Sequence, residues 1–416
     1  MASKSTQPTV FSLPNGMRIV HKPIKSTQLV HCGLFINTGS RDEDVLSNGS
    51  AHFIEHALFK GTAKRRASQL FNRIESVGGE LNAYTTREIT AYYSSSLKRY
   101  VDRSFDLLSD MCFNSLLDPK ELDKERKVIF EEIEMYEDSP DDSIYDEFFS
   151  MLFKDHPLGY NILGTKKSLA GIGQPQLKSF INRQYQPENI VFAVTGNVSL
   201  KRTQQLASQY LNFGRNGGSA LKRIKANGTA SFQLELEKDF QQTHCILGGK
   251  AYHRHDPKRY SLLLMNNLLG GNNMGSRLNL SVREKYGFCY HISSSYQAFD
   301  DTGVFFVSFG CDSKNLRKTV ELVNKEFKLL KTKKLGPVQL NKAKRQLQGN
   351  LAMMAESPSL QMQSLAKSLL NYNGFISLDE IFERIEEVSA HDVMEVANEL
   401  LAEENVNKLV FLGDNE

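Results

Sequence analysis

Residues 51–62, AHFIEHALFKGT, contain three side chains whose types and spacing could do chemistry: His52, Glu55 and His56. Phe53, Ala57 and Leu58 supply the apolar side of an amphipathic helix through the same stretch. Helix positions three and four apart share a face, with Cβ atoms about 5–6 Å apart. Both imidazoles can therefore reach one ion, with a carboxylate beside them. A catalytic zinc needs such an arrangement: fixed nitrogen ligands, another ligand from elsewhere, and an open position for water. With Glu directly before the second His, H-x-x-E-H is the inverted form of the H-E-x-x-H zinc motif. Two histidines four apart also occur on partly buried helices that hold no metal, so a third ligand decides between the readings.

The elements that must position these residues follow from pattern and turn chemistry. Strands are expected at 9–13 and 18–21 around Pro14-Asn15-Gly16, at 28–37, and at 80–86 and 89–96. The motif helix is expected over 47–60, and a second helix over 67–77 stops at Gly78-Gly79. Further helices are expected at 100–114, 119–136 and 141–153, then a strand at 189–195 and a helix at 200–211. Asn82, Ala83 and Tyr84 fall on a strand expected at a sheet edge, where an extended peptide can add as a further strand.

Composition then changes. Residues 213–228, FGRNGGSALKRIKANG, carry four glycines and little apolar content, which suits an exposed linker. Beyond it the pattern starts again, with strands at 232–236, 244–248, 290–296, 304–309 and 408–412. Helices are expected there at 258–269, 316–331, 338–355, 360–372, 378–388 and 391–401. LDPKELDKERKVIFEEI (117–133) aligns without a gap on LGPVQLNKAKRQLQGNL (335–351), and NIVFAVTGN near the end of the first half is echoed by NKLVFLGDN. These repeats, with a length of 416 residues, predict a duplicated α+β fold: a first domain 1–212, a linker 213–228 and a second domain 229–416. Each domain is a mixed sheet with helices packed on it. Glu125 and Glu132 lie two turns apart on one helix face, whereas the second copy has Ala343 and Asn350 there and no H-x-x-E-H. Any metal therefore belongs to the first half.

A formal charge of +3, from 51 basic and 48 acidic residues, offers no field that argues for nucleic acid or an anionic membrane. No apolar run reaches the length of a membrane span, and the opening MASKSTQPTVFSLPNG lacks the features of an address signal. Cys32, Cys112, Cys245, Cys289 and Cys311 are scattered and odd in number, as expected of reduced thiols in a cytoplasmic protein.

AHFIEHALFKGT, GGELNAYTTRE and ERKVIFEEI, in that order, resemble the pitrilysin / mitochondrial processing peptidase / insulin-degrading enzyme family of inverted-motif zinc metallopeptidases. HPLGYNILGT (156–165) and LSVREKYGFCY (280–290) extend the likeness over nearly the whole chain. The resemblance implies His52, His56 and Glu132 as ligands of one zinc ion per chain, and Glu55 as the general base. It further implies that Glu125 orients a ligand, that Arg283 and Tyr290 donate to the oxyanion, and that Asn82 and Ala83 take the substrate backbone. In length the chain is similar to the small bacterial members, which implies a homodimer enclosing a chamber in which peptides or unfolded segments are cut. The alternative is a non-catalytic or partner-dependent subunit of a processing-peptidase-like heterodimer. Both the metal set and the Arg/Tyr pair stand in this one chain, which favours the self-sufficient homodimer.

Overall fold

The computed structural model describes residues 7–212, 222–226, 228, 230–271 and 273–413. Residues 213–221 and Asn227 of the expected linker lie outside the described residues. In chain order the first half forms β1 (Thr9–Ser12), β2 (Arg18–Pro23), β3 (Leu29–Ile36), α1 (Ser50–Ala57), α2 (Ala67–Glu75), β4 (Glu80–Thr85) and β5 (Thr90–Leu97). It continues through α3 (Val101–Asn114), α4 (Pro119–Glu137), α5 (Pro140–Leu152), α6 (Lys166–Ala170), α7 (Gln174–Gln184), β6 (Ile190–Gly196) and α8 (Leu200–Tyr210). The second half forms β7 (Gln233–Glu237), β8 (Thr243–Ala251), α9 (Arg259–Gly270), β9 (Cys289–Ala298), β10 (Gly303–Cys311) and α10 (Leu316–Thr332). It ends with α11 (Pro337–Glu356), α12 (Pro358–Tyr372), α13 (Leu378–Glu387), α14 (Ala390–Leu400) and β11 (Asn407–Leu412).

The two sheets repeat one plan, as a duplicated α+β fold requires. One runs β1-β2-β6-β3-β5-β4 and the other β7-β11-β8-β10-β9. In each, the first long strand pairs in parallel with the strand that closes its half, β2 with β6 and β7 with β11; the other pairings are antiparallel. Helices α4 and α11 open at matching prolines, Pro119 and Pro337.

By contact the chain forms two units, and each includes a stretch from the other half. One holds residues 7–133, 160–224 and 353–376 of the described chain; the other holds 134–159, 225–352 and 377–413. In the first unit, Val20, Phe35, Val191 and Ala193 of the sheet bury against Met362, Ala366 and Leu369 of α12. In the second unit, Ile144, Phe148, Phe149 and Leu152 of α5 bury against Ile246, Phe306, Leu409 and Phe411. Each such apolar side chain taken fully from water contributes about 1.5–3 kcal/mol.

Three expectations need correction. The motif helix spans only Ser50–Ala57, because Gly49 turns the backbone to φ +97° and separates it from a 3-10 turn, Val45–Ser47. Helices α6 and α7 lie where the sequence reading places no element. Their apolar content is low: Leu169 alone is buried in α6, and Leu177 and Phe180 are the buried apolar residues of α7. A helical segment with a π-type stretch, Asn279–Glu284, precedes β9 and carries Arg283, again where the sequence reading places no element. Among the described residues no helix is long and apolar enough to cross a membrane.

His21 of β2 gives the fold a defined pH response. It is 1% exposed, its Nε2–H donates to Val198 O at 2.9 Å, and its Nδ1 has no partner. Burial lowers its pKa, more than the Val198 bond restores it. The unfolded chain then takes up a proton that the folded chain refuses, so stability falls as pH drops through the unfolded value of about 6.5. Denaturant unfolding between pH 7.5 and 5 should show this slope, shallower in His21→Gln; an unchanged slope contradicts the assignment.

Candidate metal centre

Helix α1 is short and is held at its start by long-range contacts. The Glu43 carboxylate accepts from the N–H groups of Gly49 (2.7 Å) and Ala51 (2.6 Å) and from the Asn48 amide (2.9 Å). It thereby satisfies donors that a helix start leaves open, while burial pushes its own pKa up to about 8 against the pull of those bonds. A Cβ at Gly49 would sit 2.8 Å from Leu163 O, so the close approach there needs glycine as well as the positive φ. Ala51, His52, Phe53 and Ile54 are buried on this helix.

Helix α4 brings the remaining carboxylates. Leu122, Glu125, Ile129 and Ile133 form its buried stripe, and Glu132 sits beside the same face. Arg126 pins the helix laterally, donating to Leu169 O (3.1 Å) and Ile172 O (2.8 Å) at the end of α6. The small helix that the sequence reading lacks is therefore part of what places Glu132.

The two helices converge. Glu132 Oε2 lies 3.5 Å from His56 Nε2 and 3.8 Å from His52 Nε2. One donor atom from each of the three residues lies within 4.8 Å of the other two; they form the one such metal-capable group among the described residues. Tetrahedral zinc with bonds of about 2.0–2.1 Å sets its ligands roughly 3.3 Å apart. Two neutral-capable nitrogens, a carboxylate and a buried Glu132 Oε2 that accepts no hydrogen bond fit such an ion. The other nitrogen of His56, Nδ1, meets Glu125 Oε2 at 3.1 Å, while Lys60 Nζ holds Glu125 Oε1 at 2.6 Å. A carboxylate there fixes the ring orientation and leaves Nε2 with its lone pair towards the site.

Electrostatics follow from burial and from these neighbours. Burial, then His56, pushes the His52 pKa down to about 3, which keeps that imidazole neutral. For His56, burial opposes the charged ring, but the Glu125 bond and the charges of Glu132, Glu125 and Glu55 outweigh it and raise the pKa. Burial also works to raise Glu125, yet His56 and Lys60 hold it below the usual glutamate range. Burial raises Glu132, with His56 pulling against it. Burial likewise raises Glu55, partly offset by a hydrogen bond from Thr85 Oγ1 to Glu55 Oε2 at 2.6 Å and by His56.

Strand β4 is an edge strand, paired among the described residues only with β5. Asn82 is exposed and Ala83 half-buried. Tyr84 packs with Tyr93 in the cluster under α12, its ring 5.0 Å from Lys367 Nζ, so its side chain leaves the face from which Thr85 reaches Glu55. Arg283 and Tyr290 belong to the second unit and meet each other, the guanidinium 5.6 Å from the ring centroid. Tyr290 is 85% exposed and lies where the β9–β10 register slips, in a bulge that turns it outward. At the positions aligned with Glu125 and Glu132, Ala343 is buried and Asn350 bonds Asn267 Oδ1 at 3.3 Å. Glu43, Lys60 and Thr85 escaped the sequence reading. Lys60, four positions after His56, had a spacing signal; Glu43 acts from the loop before α1 and Thr85 from a separate strand, where no periodicity points to them.

Residues 18–166 match the family model described as Insulinase (Peptidase family M16), and residues 172–347 match the one described as Peptidase M16 inactive domain. An uncharacterized zinc protease of Bacillus subtilis, YmxG, is 32% identical, covering 97% of this chain and 98% of its own. An uncharacterized zinc protease of Mycobacterium leprae is 32% identical over 96% of this chain and 91% of its own. Among solved structures, a protease from Helicobacter pylori superposes with TM-score 0.90 at 22% identity, covering 98% of this chain and 99% of its own. At that identity the superposition speaks for the fold.

If Glu125 orients His56, Glu125→Gln should weaken zinc binding about 10–100-fold while the unfolding midpoint changes little. Competition against a chromophoric chelator measures this. Unchanged affinity would show that the His56–Glu125 contact has no bearing on the metal.

Proposed function

Because the chain belongs to the insulinase family, peptidase family M16, we propose that it is a zinc-dependent endopeptidase acting on peptides or unfolded segments. The observation that carries this reading is the convergence of His52, His56 and Glu132 beside Glu55. In it, those three residues hold one zinc per chain. When bound, the metal supplies Lewis acidity, which polarises a scissile carbonyl and acidifies water towards pKa ~7.

The protein's own groups account for the remaining steps. Glu55 removes a proton from the attacking water and delivers it to the leaving amine; its carboxyl, raised by burial, is suited to both transfers. Glu55 Oε2 is occupied by Thr85, which leaves Oε1 for the proton. The open edge of β4 at Asn82 and Ala83 pairs with an extended substrate backbone, binding it with little demand on sequence. Arg283 and Tyr290, stacked on each other, are the proposed donors to the developing oxyanion, a role that rests on the family resemblance. With both sets of residues in one chain, the working form is a homodimer enclosing a chamber. Five free, buried cysteines suit a reducing cytoplasm.

Glu55→Gln tests the reading. It should keep about one zinc per chain by elemental analysis and lower the cleavage rate of an unstructured peptide by at least about 10²–10⁴-fold. Full metal content with undiminished cleavage would remove Glu55 as the base.

A further inference from the structure

Thr85 and Thr86 sit side by side at the end of β4 and use their hydroxyls differently. Thr86 builds the turn into β5: its Oγ1 donates to Ile89 O (2.9 Å) and accepts from Ile89 N (3.0 Å). Thr85 takes no part in the turn through its side chain. Its hydroxyl crosses to α1 and donates to Glu55 Oε2 at 2.6 Å. Strand alternation makes this possible. Thr85 points to the α1 face of the sheet, whereas its neighbour Tyr84 points to the α12 face.

The turn that ends β4 is clamped from the opposite side. Ser40 N and Arg41 N donate to Thr86 O (3.2 Å) and Arg87 O (2.9 Å). Gly39 passes so close that a Cβ there would lie 2.0 Å from Thr86 O. Buried Arg41 pairs with Glu88 at 2.7 Å, and Arg223 donates to Glu88 O at 2.9 Å and pairs with Asp42 at 3.0 Å. Thr85 is thus the last residue of a strand whose end is fixed by backbone bonds and a desolvated ion-pair network. A hydroxyl on so firm a support can set the position of a flexible partner.

We propose that Thr85 is a positioning residue for the reaction: its hydroxyl anchors one carboxylate oxygen of Glu55 and thereby aims the other at the attacking water. The inference rests on the reading of Glu55 as the base. It adds that the base is registered to the edge strand carrying the substrate backbone, since one strand both pairs with the peptide and holds the carboxylate. A glutamate has three side-chain torsions, and without the hydroxyl Glu55 Oε2 loses the one hydrogen bond seen to fix it. Misplacing a reacting group by about 1 Å can cost on the order of 10²-fold in rate.

Thr85→Val keeps the size and β-branching of the side chain and removes only the hydroxyl; Thr85→Ser restores it. Full-length zinc-loaded protein would be assayed for kcat and KM on an unstructured peptide, and its zinc affinity measured by chelator competition. Peptide Kd would be measured in the Glu55→Gln background with and without Thr85→Val. For Thr85→Val, kcat should fall about 10–100-fold, with KM, zinc affinity and peptide Kd each within about twofold of the parent. Thr85→Ser should recover most of kcat. Wild-type kcat in Thr85→Val, or Thr85→Ser as slow as Thr85→Val, would overturn the proposal. So would a loss of zinc affinity or peptide binding matching the loss of rate, since Thr85 would then support the fold. The role of Glu55 is judged separately: an inactive Glu55→Gln beside a fully active Thr85→Val sinks only the inference about Thr85.

Discussion

The site depends on one convergence: two imidazoles from a helix of two turns and a carboxylate from a second helix must meet within a few ångströms. Neither helix could manage this alone. Helix α1 is too short to hold its own orientation by propensity. It is fixed by Glu43 at its start and by the close passage of Gly49 along Leu163. Helix α4 is long, and the buried stripe through Glu125 sets its rotation, while Arg126 sets its lateral position. Helix α6, through its bond with Arg126, thus supports the candidate metal centre.

Charge gives the convergence its chemical meaning. Glu55, Glu125 and Glu132 surround the two histidines, and Lys60 pairs with the Glu125 oxygen that His56 does not contact. His52 is kept neutral by burial, and the pKa of His56 is raised because carboxylates crowd it. Partly buried carboxylates outnumbering their cations are costly unless a positive charge joins them. A dication would relieve that cost, and the same crowding adds to the rise in the Glu55 pKa through Glu132.

The chain was legible where the signal was local. H-x-x-E-H puts His52, Glu55 and His56 on one helix face from spacing alone, and the repeat at Pro119 and Pro337 matches the paired helices of two sheets with one plan. Glu132 was named by family resemblance, because a carboxylate in a charged helical run looks like any solvated face. Thr85 and Glu43 were invisible: Thr85 acts through one bond to a helix in a separate segment, Glu43 through bonds to Asn48, Gly49 and Ala51 that a loop conformation alone sets up, and their residue types are ordinary where they stand. The grouping of 134–159 and 353–376 with units of the opposite half was equally hidden. The amphipathic faces of α5 and α12 say that each must bury against something, but not against which sheet.

The most direct test of the central claim is anomalous diffraction at the zinc edge from crystals of the purified protein. The account predicts one strong peak per chain within about 2.0–2.2 Å of a nitrogen of His52, a nitrogen of His56 and a carboxylate oxygen of Glu132. Zinc bound stoichiometrically elsewhere, or bound here without Glu132, would contradict it.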